Sequence, residues 1–125
     1  MSKTVKLLLV AGAVYGLCAM AAGWYMGPTR DLLPKAGHAH LALIGWLALW
    51  VSAAVYAGAP KLAGTMLSRV HVWGFILGAG FLGFGHMGVG YFYPTALIPM
   101  LFGAGLVTLG LLAALFNILG APADR

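Results

Sequence analysis

Charged residues are scarce in this sequence. Only 7% of the 125 residues are charged and only two residues are acidic, whereas 62% are hydrophobic. Soluble domains carry about 25% charged residues, so this chain lacks the polar side chains that a soluble surface needs. Its 19 glycines are typical of membrane helices, in which glycine is commoner than in soluble ones. Composition therefore predicts an integral membrane protein whose main partner is the lipid bilayer.

The missing residue types also exclude several kinds of chemistry. The two acidic residues are Asp31, between two apolar segments, and Asp124, near the C-terminus. This placement argues against a transporter built on a membrane-embedded carboxylate and against a carboxylate-bridged metal pair. The single cysteine, Cys18, allows neither an intrachain disulfide nor covalent haem attachment. The seven basic residues form no run, so the net charge of +5 does not indicate a nucleic-acid partner.

Four apolar segments run through the chain, each close to the roughly 20 residues that a spanning helix needs. They are residues 5–26, 37–56, 70–89 and 95–119. Gly27 and Pro28 are expected to end the first helix, because proline cannot continue one. The connection between the last two segments is so short that these helices must be antiparallel. We predict an all-α transmembrane four-helix bundle that forms one domain over residues 1–125.

The basic residues predict the orientation of this bundle. If the N-terminus is cytoplasmic, five basic residues lie on the inner side and two on the outer side. Cytoplasmic loops are enriched in lysine and arginine, so we predict a multi-pass protein of the inner, cytoplasmic membrane with both termini inside. The inner group is Lys3, Lys6, Lys61, Arg69 and Arg125, and the outer group is Arg30 and Lys35.

Small residues recur on one face of the first helix. They are Gly12, Gly16, Ala19 and Gly23, with spacings of four, three and four. Such a stripe lets helix backbones approach closely. It can equally leave room for a flat cofactor, and the sequence does not decide between the two.

Histidines are the ionisable residues inside the apolar segments, which makes each of them a functional candidate. His38 and His40 lie near the start of the second helix and His86 near the end of the third. Because these helices run antiparallel, the three share the outer level of the bundle. Imidazoles from two helices can ligate one haem iron from opposite faces. We expect His40 and His86 to bind a b-type haem in this way, while His38 diverges from His40 by about 200° on a helix.

Other interpretations of the same residues remain open. All three outer histidines could bind copper or zinc, both of which accept imidazole, or they could only pack in a cofactor-free assembly subunit. Arg30 and Lys35 lie at the level of the outer histidines and could pair with haem propionates. His71 lies about 22 Å along its helix from His86, so we expect it to reach water at the inner end and not to serve as a ligand.

Two segments of the chain resemble the catalytic subunits of haem-copper oxidases and nitric oxide reductases. Residues 37–46 (GHAHLALIGW) resemble the second helix of that family, and residues 68–75 (SRVHVWGF) resemble the start of a later helix. The resemblance implies that His40 ligates a low-spin haem, or His38 if the segment is aligned as in nitric oxide reductases. It further implies a role in electron transfer or in haem or gas sensing.

The same family resemblance bears on partners and on activity. The family's subunit combines three four-helix units, so the resemblance implies that this chain could form a homo-oligomer, conceivably a trimer, and could meet a redox partner. The family's paired histidines on a later helix and its three-histidine copper site have no counterpart here. We therefore do not expect this chain by itself to reduce oxygen or nitric oxide.

Overall fold

The structure, a computed structural model, describes residues 1–121, and all regular structure in that range is helical. Four long helices are α1 (Lys3–Thr29), α2 (Lys35–Gly58), α3 (Met66–Gly90) and α4 (Leu97–Leu119). Short 3-10 turns, Pro60–Gly64 and Pro94–Ala96, lead into α3 and α4. All four helices are long and apolar enough to cross a membrane. The predicted all-α, four-helix membrane fold is thus confirmed, while Asp124 and Arg125 lie outside the described residues.

Both ends of α1, α2 and α3 extend one to four residues beyond those predicted, whereas α4 begins two residues later than predicted and ends as predicted. The prediction that Gly27 and Pro28 end α1 is wrong, since α1 continues through Pro28 to Thr29. Arg30 then caps it in a left-handed conformation (φ 55°), with its N–H donating to the carbonyl of Met26. α3 begins at Met66 because the hydroxyl of Thr65 accepts from the backbone N–H of Ser68 at 2.9 Å.

The middle of α2 is not a regular α-helix. Leu41–Ala48 forms a π-helical segment between two α-helical parts, Lys35–His40 and Leu49–Gly58. A π-helix changes which residues share a face, and such segments occur frequently at functional sites. This one starts directly after His40, and it turns Gly45 onto the ring of Tyr15 in α1.

Glycines set the spacing of the helices. The stripe on α1 packs against α2, with Gly12 beneath Trp50, Gly16 beneath Trp46 and Gly23 beside His38. It therefore serves helix packing and leaves no slot for a flat cofactor. α3 and α4 meet in the same way, and a Cβ on Gly78 would lie 2.9 Å from the backbone nitrogen of Val107. The other glycines of that interface are Gly74, Gly85, Gly103 and Gly110.

We call the end of the bundle that carries the N-terminus the inner end, after the predicted topology, and the opposite end the outer end. α4 packs chiefly against α3, whereas α2 packs against both α1 and α3. α2 and α4 therefore stand on either side of α3, and an open groove runs between them.

Candidate functional site

Two histidines from different helices meet at the outer end. The rings of His40 in α2 and His86 in α3 are stacked, with centroids 4.3 Å apart and planes inclined by 11°. We call these two residues the outer pair. The meeting follows from the close approach of the helices one turn away, where Gly37 packs against Gly83 and Met87. Both rings are partly exposed.

Hydrogen bonds decide which nitrogen of each ring is free. Nδ1 of His40 lies 2.7 Å from the carbonyl oxygen of Ala36, and Nδ1 of His86 lies 3.0 Å from that of Leu82. A carbonyl only accepts, so each Nδ1 carries a hydrogen, and in the neutral imidazole Nε2 then carries the lone pair. Within residues 1–121, neither Nε2 atom has a hydrogen-bond partner. A ring whose Nδ1 is held by a carbonyl and whose Nε2 is free has the arrangement that histidine ligands of metals commonly have.

His38 does not join the outer pair. Its Nδ1 lies 2.8 Å from the carbonyl oxygen of Ala19 in α1, and its ring lies beside Gly23. The predicted divergence of His38 from His40 is therefore present, and the three outer histidines do not come together. The reason is the regular helix over Lys35–His40, on which residues two apart point in nearly opposite directions. In the described part of the chain, no group of three or more metal-ligating side chains comes together.

His71 lies at the inner end, away from the outer pair, but not at a water-exposed position. It is only 7% exposed. Its Nδ1 lies 2.8 Å from the hydroxyl of Tyr56 and its Nε2 lies 3.4 Å from the hydroxyl of Ser52. The edge of its ring meets Phe75. The expectation that His71 reaches interfacial water is wrong, because two side chains of α2 take the place of water.

The two outer basic residues flank the site without forming ion pairs within residues 1–121. Arg30 follows α1, and Lys35 is the first residue of α2; both are exposed. Lys35 precedes His40 by five residues, which is about 7.5 Å along the helix. Both cations thus remain at the outer end, where they can meet an anionic group.

A cluster of one carboxylate and two tyrosines at the outer end was not predicted from the sequence. Asp31 accepts hydrogen bonds from the hydroxyls of Tyr25 (3.0 Å) and Tyr91 (2.9 Å) and from the backbone N–H of Leu33 (3.0 Å). The N–H of Leu33, then the hydroxyls of Tyr91 and Tyr25, hold the pKa of Asp31 below its usual value. Asp31 thereby ties the first loop to the end of α3. The sequence does contain a signal for this cluster, because Asp31 is the only acidic residue predicted at the outer end and tyrosines are frequent there.

The outer pair sets a geometric limit on haem binding. An iron lies close to the plane of each imidazole that ligates it, and two stacked, nearly parallel rings cannot both meet this condition. A porphyrin between the two rings would also require the helices to separate at the contact of Gly37 with Gly83, one turn away. A haem between His40 and His86 of one chain therefore does not fit. Ligation of an iron by one of the two free Nε2 atoms does fit the donor set.

The chemistry available at the outer end is thus ligation by neutral imidazole, next to two exposed cations and one hydrogen-bonded carboxylate. The geometry of the outer pair supports this interpretation. Comparisons with protein-family models, with curated proteins and with solved structures give no match for this chain.

Proposed function

We propose that this protein binds a b-type haem non-covalently at its outer end, with one histidine of the outer pair as the iron ligand, and acts as a sensor of a diatomic gas. One observation carries the proposal. Both rings hold their Nδ1 hydrogens on helix carbonyls and leave their Nε2 lone pairs free. An imidazole in that state is an axial ligand of haem iron, and the family resemblance implies the same role for His40.

The stacked rings favour gas binding over electron transfer, the other role implied by the resemblance. When bound, the haem would supply an iron with one protein ligand and one position open to a gas. The protein supplies the rest. The carbonyl of Ala36 orients His40, the ring of His86 supports it from the side, and Arg30 and Lys35 can pair with propionates.

A second candidate is copper or zinc binding, and the outer pair favours it through a different feature. The two free Nε2 atoms belong to neighbouring rings, which brings two imidazole ligands from different helices together. Imidazole suits both metals. The remaining ligands would come from water or from a second copy of the chain. In a third interpretation, an assembly subunit without a cofactor, the pair only packs.

The proposed setting is the cytoplasmic membrane, with both termini inside and the outer pair near the opposite surface. The resemblance also supports a homo-oligomer of four-helix units, which would bring outer ends of several copies together. A redox partner is expected only if the protein transfers electrons.

An absorption spectrum of the protein, purified in mild detergent, tests the proposal. We expect a Soret band that shifts when carbon monoxide is added to the reduced sample, because one iron position is open. The matched control is the double variant His40→Ala/His86→Ala, which should be colourless. A low-spin spectrum without a carbon monoxide shift would favour electron transfer by two histidines.

Metal analysis of the same sample separates the candidates. A colourless protein that takes up no added haem refutes haem binding. Stoichiometric copper or zinc in that sample supports the second candidate, provided that the double variant loses it. If the sample contains neither haem nor a stoichiometric metal, the remaining interpretation is that the outer pair only packs.

A further inference from the structure

The groove between α2 and α4 has a volume of about 480 Å³. Leu43, Leu47 and Val51 of α2 form one wall, and Leu111, Ala114 and Ile118 of α4 form the other. The walls are apolar and the groove opens sideways between two spanning helices, so its occupant must come from the bilayer. Among residues 1–121, the lining of the groove includes no lysine, arginine, aspartate or glutamate, so an uncharged occupant suits these walls.

A polar group lies at the inner end of this groove. His71 and Ser52 are both more than nine-tenths buried, and both line the groove together with Tyr56 and Asn117. Phe75 adds an aromatic surface beside the imidazole, with the two rings edge to face at 4.8 Å. An apolar channel with a polar, aromatic end is complementary to an amphiphile that has a flat headgroup and a long apolar tail.

The hydrogen bonds determine which group His71 offers. The hydroxyl of Ser52 donates its only hydrogen to the carbonyl of Ala48 at 2.7 Å. Its contact with Nε2 of His71 is therefore a hydrogen bond only if His71 donates. The ring hydrogen then lies on Nε2, and Nδ1 accepts a hydrogen bond from the hydroxyl of Tyr56. At 3.4 Å, the Nε2–Ser52 contact is longer than ordinary hydrogen bonds of about 2.7–3.2 Å. His71 thus offers an under-used N–H donor.

We propose that this groove binds an uncharged, lipid-soluble molecule of the quinone class, with a headgroup carbonyl accepting from Nε2 of His71 and the tail lying between α2 and α4. A carbonyl oxygen is a stronger acceptor for this donor than the distant Ser52 hydroxyl, and an uncharged ring suits the apolar walls of the groove. His71 lies five residues into α3, about 7.5 Å from its inner end. The headgroup is thereby near the interface and the tail extends toward the bilayer centre, as in a free amphiphile.

Binding of decylubiquinone to the purified protein in lipid nanodiscs, measured by calorimetric titration, tests this proposal. His71→Phe keeps an aromatic ring but removes the donor, and it should weaken binding about tenfold, the effect of one buried hydrogen bond. Ala114→Trp fills the groove from α4 and should abolish binding. Its matched control is Ala54→Trp, on an exposed position of α2 outside the groove, which should bind as the wild type does.

Four further measurements distinguish quinone binding from its alternatives. Ser52→Ala removes the weak competing acceptor, so binding should stay equal or become tighter, whereas a purely structural role of His71 and Ser52 predicts a loss. Decylbenzene, which has the tail but no carbonyl, should not bind. Equal binding of both compounds, unchanged binding to His71→Phe, or a tightly held phospholipid found in the groove by mass spectrometry would overturn the proposal. Because the groove is independent of the outer pair, His40→Ala/His86→Ala should leave quinone binding unchanged.

Discussion

Each histidine in this chain has a backbone or side-chain partner that defines what it can do. His38 is held by a carbonyl of α1 and His71 by the hydroxyls of Tyr56 and Ser52. His40 and His86 are held at Nδ1 alone and keep Nε2 free. Ligand chemistry at the residue scale therefore belongs to the outer pair, since a metal needs an uncommitted nitrogen lone pair.

Single substitutions should distinguish the four histidines. His40→Ala should reduce the haem content of the purified protein below roughly a tenth, because the axial ligand is lost. His86→Ala should retain haem with affinity weaker by up to about tenfold, because only a stacked ring is removed. His38→Ala and His71→Ala serve as controls and should leave the visible spectrum unchanged.

The other outcomes of this experiment are also informative. Loss of haem in His86→Ala but not in His40→Ala would mean that His86 is the iron ligand and His40 is the ring stacked against it. Loss in His38→Ala alone would show that the segment aligns as in nitric oxide reductases and that the outer pair is not the site. Loss in His71→Ala alone would move the site to the inner end and contradict the proposal.

The contact between α3 and α4 depends on glycine at the element scale. Gly103 lies against the backbone of α3, at the nitrogen of Leu82 and the carbonyl oxygen of Gly78. Backbone atoms cannot move aside as a side chain can. In a bilayer, such close contacts provide much of the association between helices, because the lipid removes most of the hydrophobic driving force.

Gly103→Ala should therefore destabilise the bundle by about 1–3 kcal/mol, the usual cost of overpacking a tight contact. The matched control is Gly105→Ala on the same helix, where a Cβ would meet nothing within 4 Å. This control should be neutral or more stable by up to about 1 kcal/mol, because alanine favours helix over glycine. Reversible unfolding in mixed detergent micelles, followed by circular dichroism, measures both. Equal stability of the two variants would mean that α3 and α4 do not pack through Gly103.

At the scale of the whole molecule, the distribution of basic residues predicts the topology. Lys3, Lys6, Lys61 and Arg69 lie at the inner end of the bundle and Arg30 and Lys35 at the outer end. Arg125 is outside the described residues and adds to the inner group by sequence. Both ends of the chain are expected in the cytoplasm, because an even number of spans returns it to its starting side.

Fusion of reporters after residue 125 checks this orientation. A reporter that is active only in the cytoplasm should be active there, and alkaline phosphatase, which needs the outside, should be inactive. The matched control is the same pair of reporters fused after Arg30, with the opposite result. Phosphatase activity at the C-terminus would contradict the orientation and would also place the outer pair on the cytoplasmic side.

The sequence by itself determined the four helices and the level of each histidine along them. This succeeds because apolar length and helical rise are local properties, and because a chain in lipid must satisfy its backbone hydrogen bonds within each helix. His40 and His86 could be placed at one depth from their positions alone. The divergence of His38 from His40 likewise follows from helical geometry over two residues.

Only the tertiary structure decided which atoms meet. That His40 stacks on His86, that His71 is enclosed by Tyr56 and Ser52, and that Asp31 joins two tyrosines all depend on how the helices rotate and cross. The π-helical segment Leu41–Ala48 changes that rotation halfway along α2. The close contact of Gly37 with Gly83 brings α2 and α3 together one turn from the stacked rings. These relations come from packing between residues far apart in the chain, which no local pattern encodes.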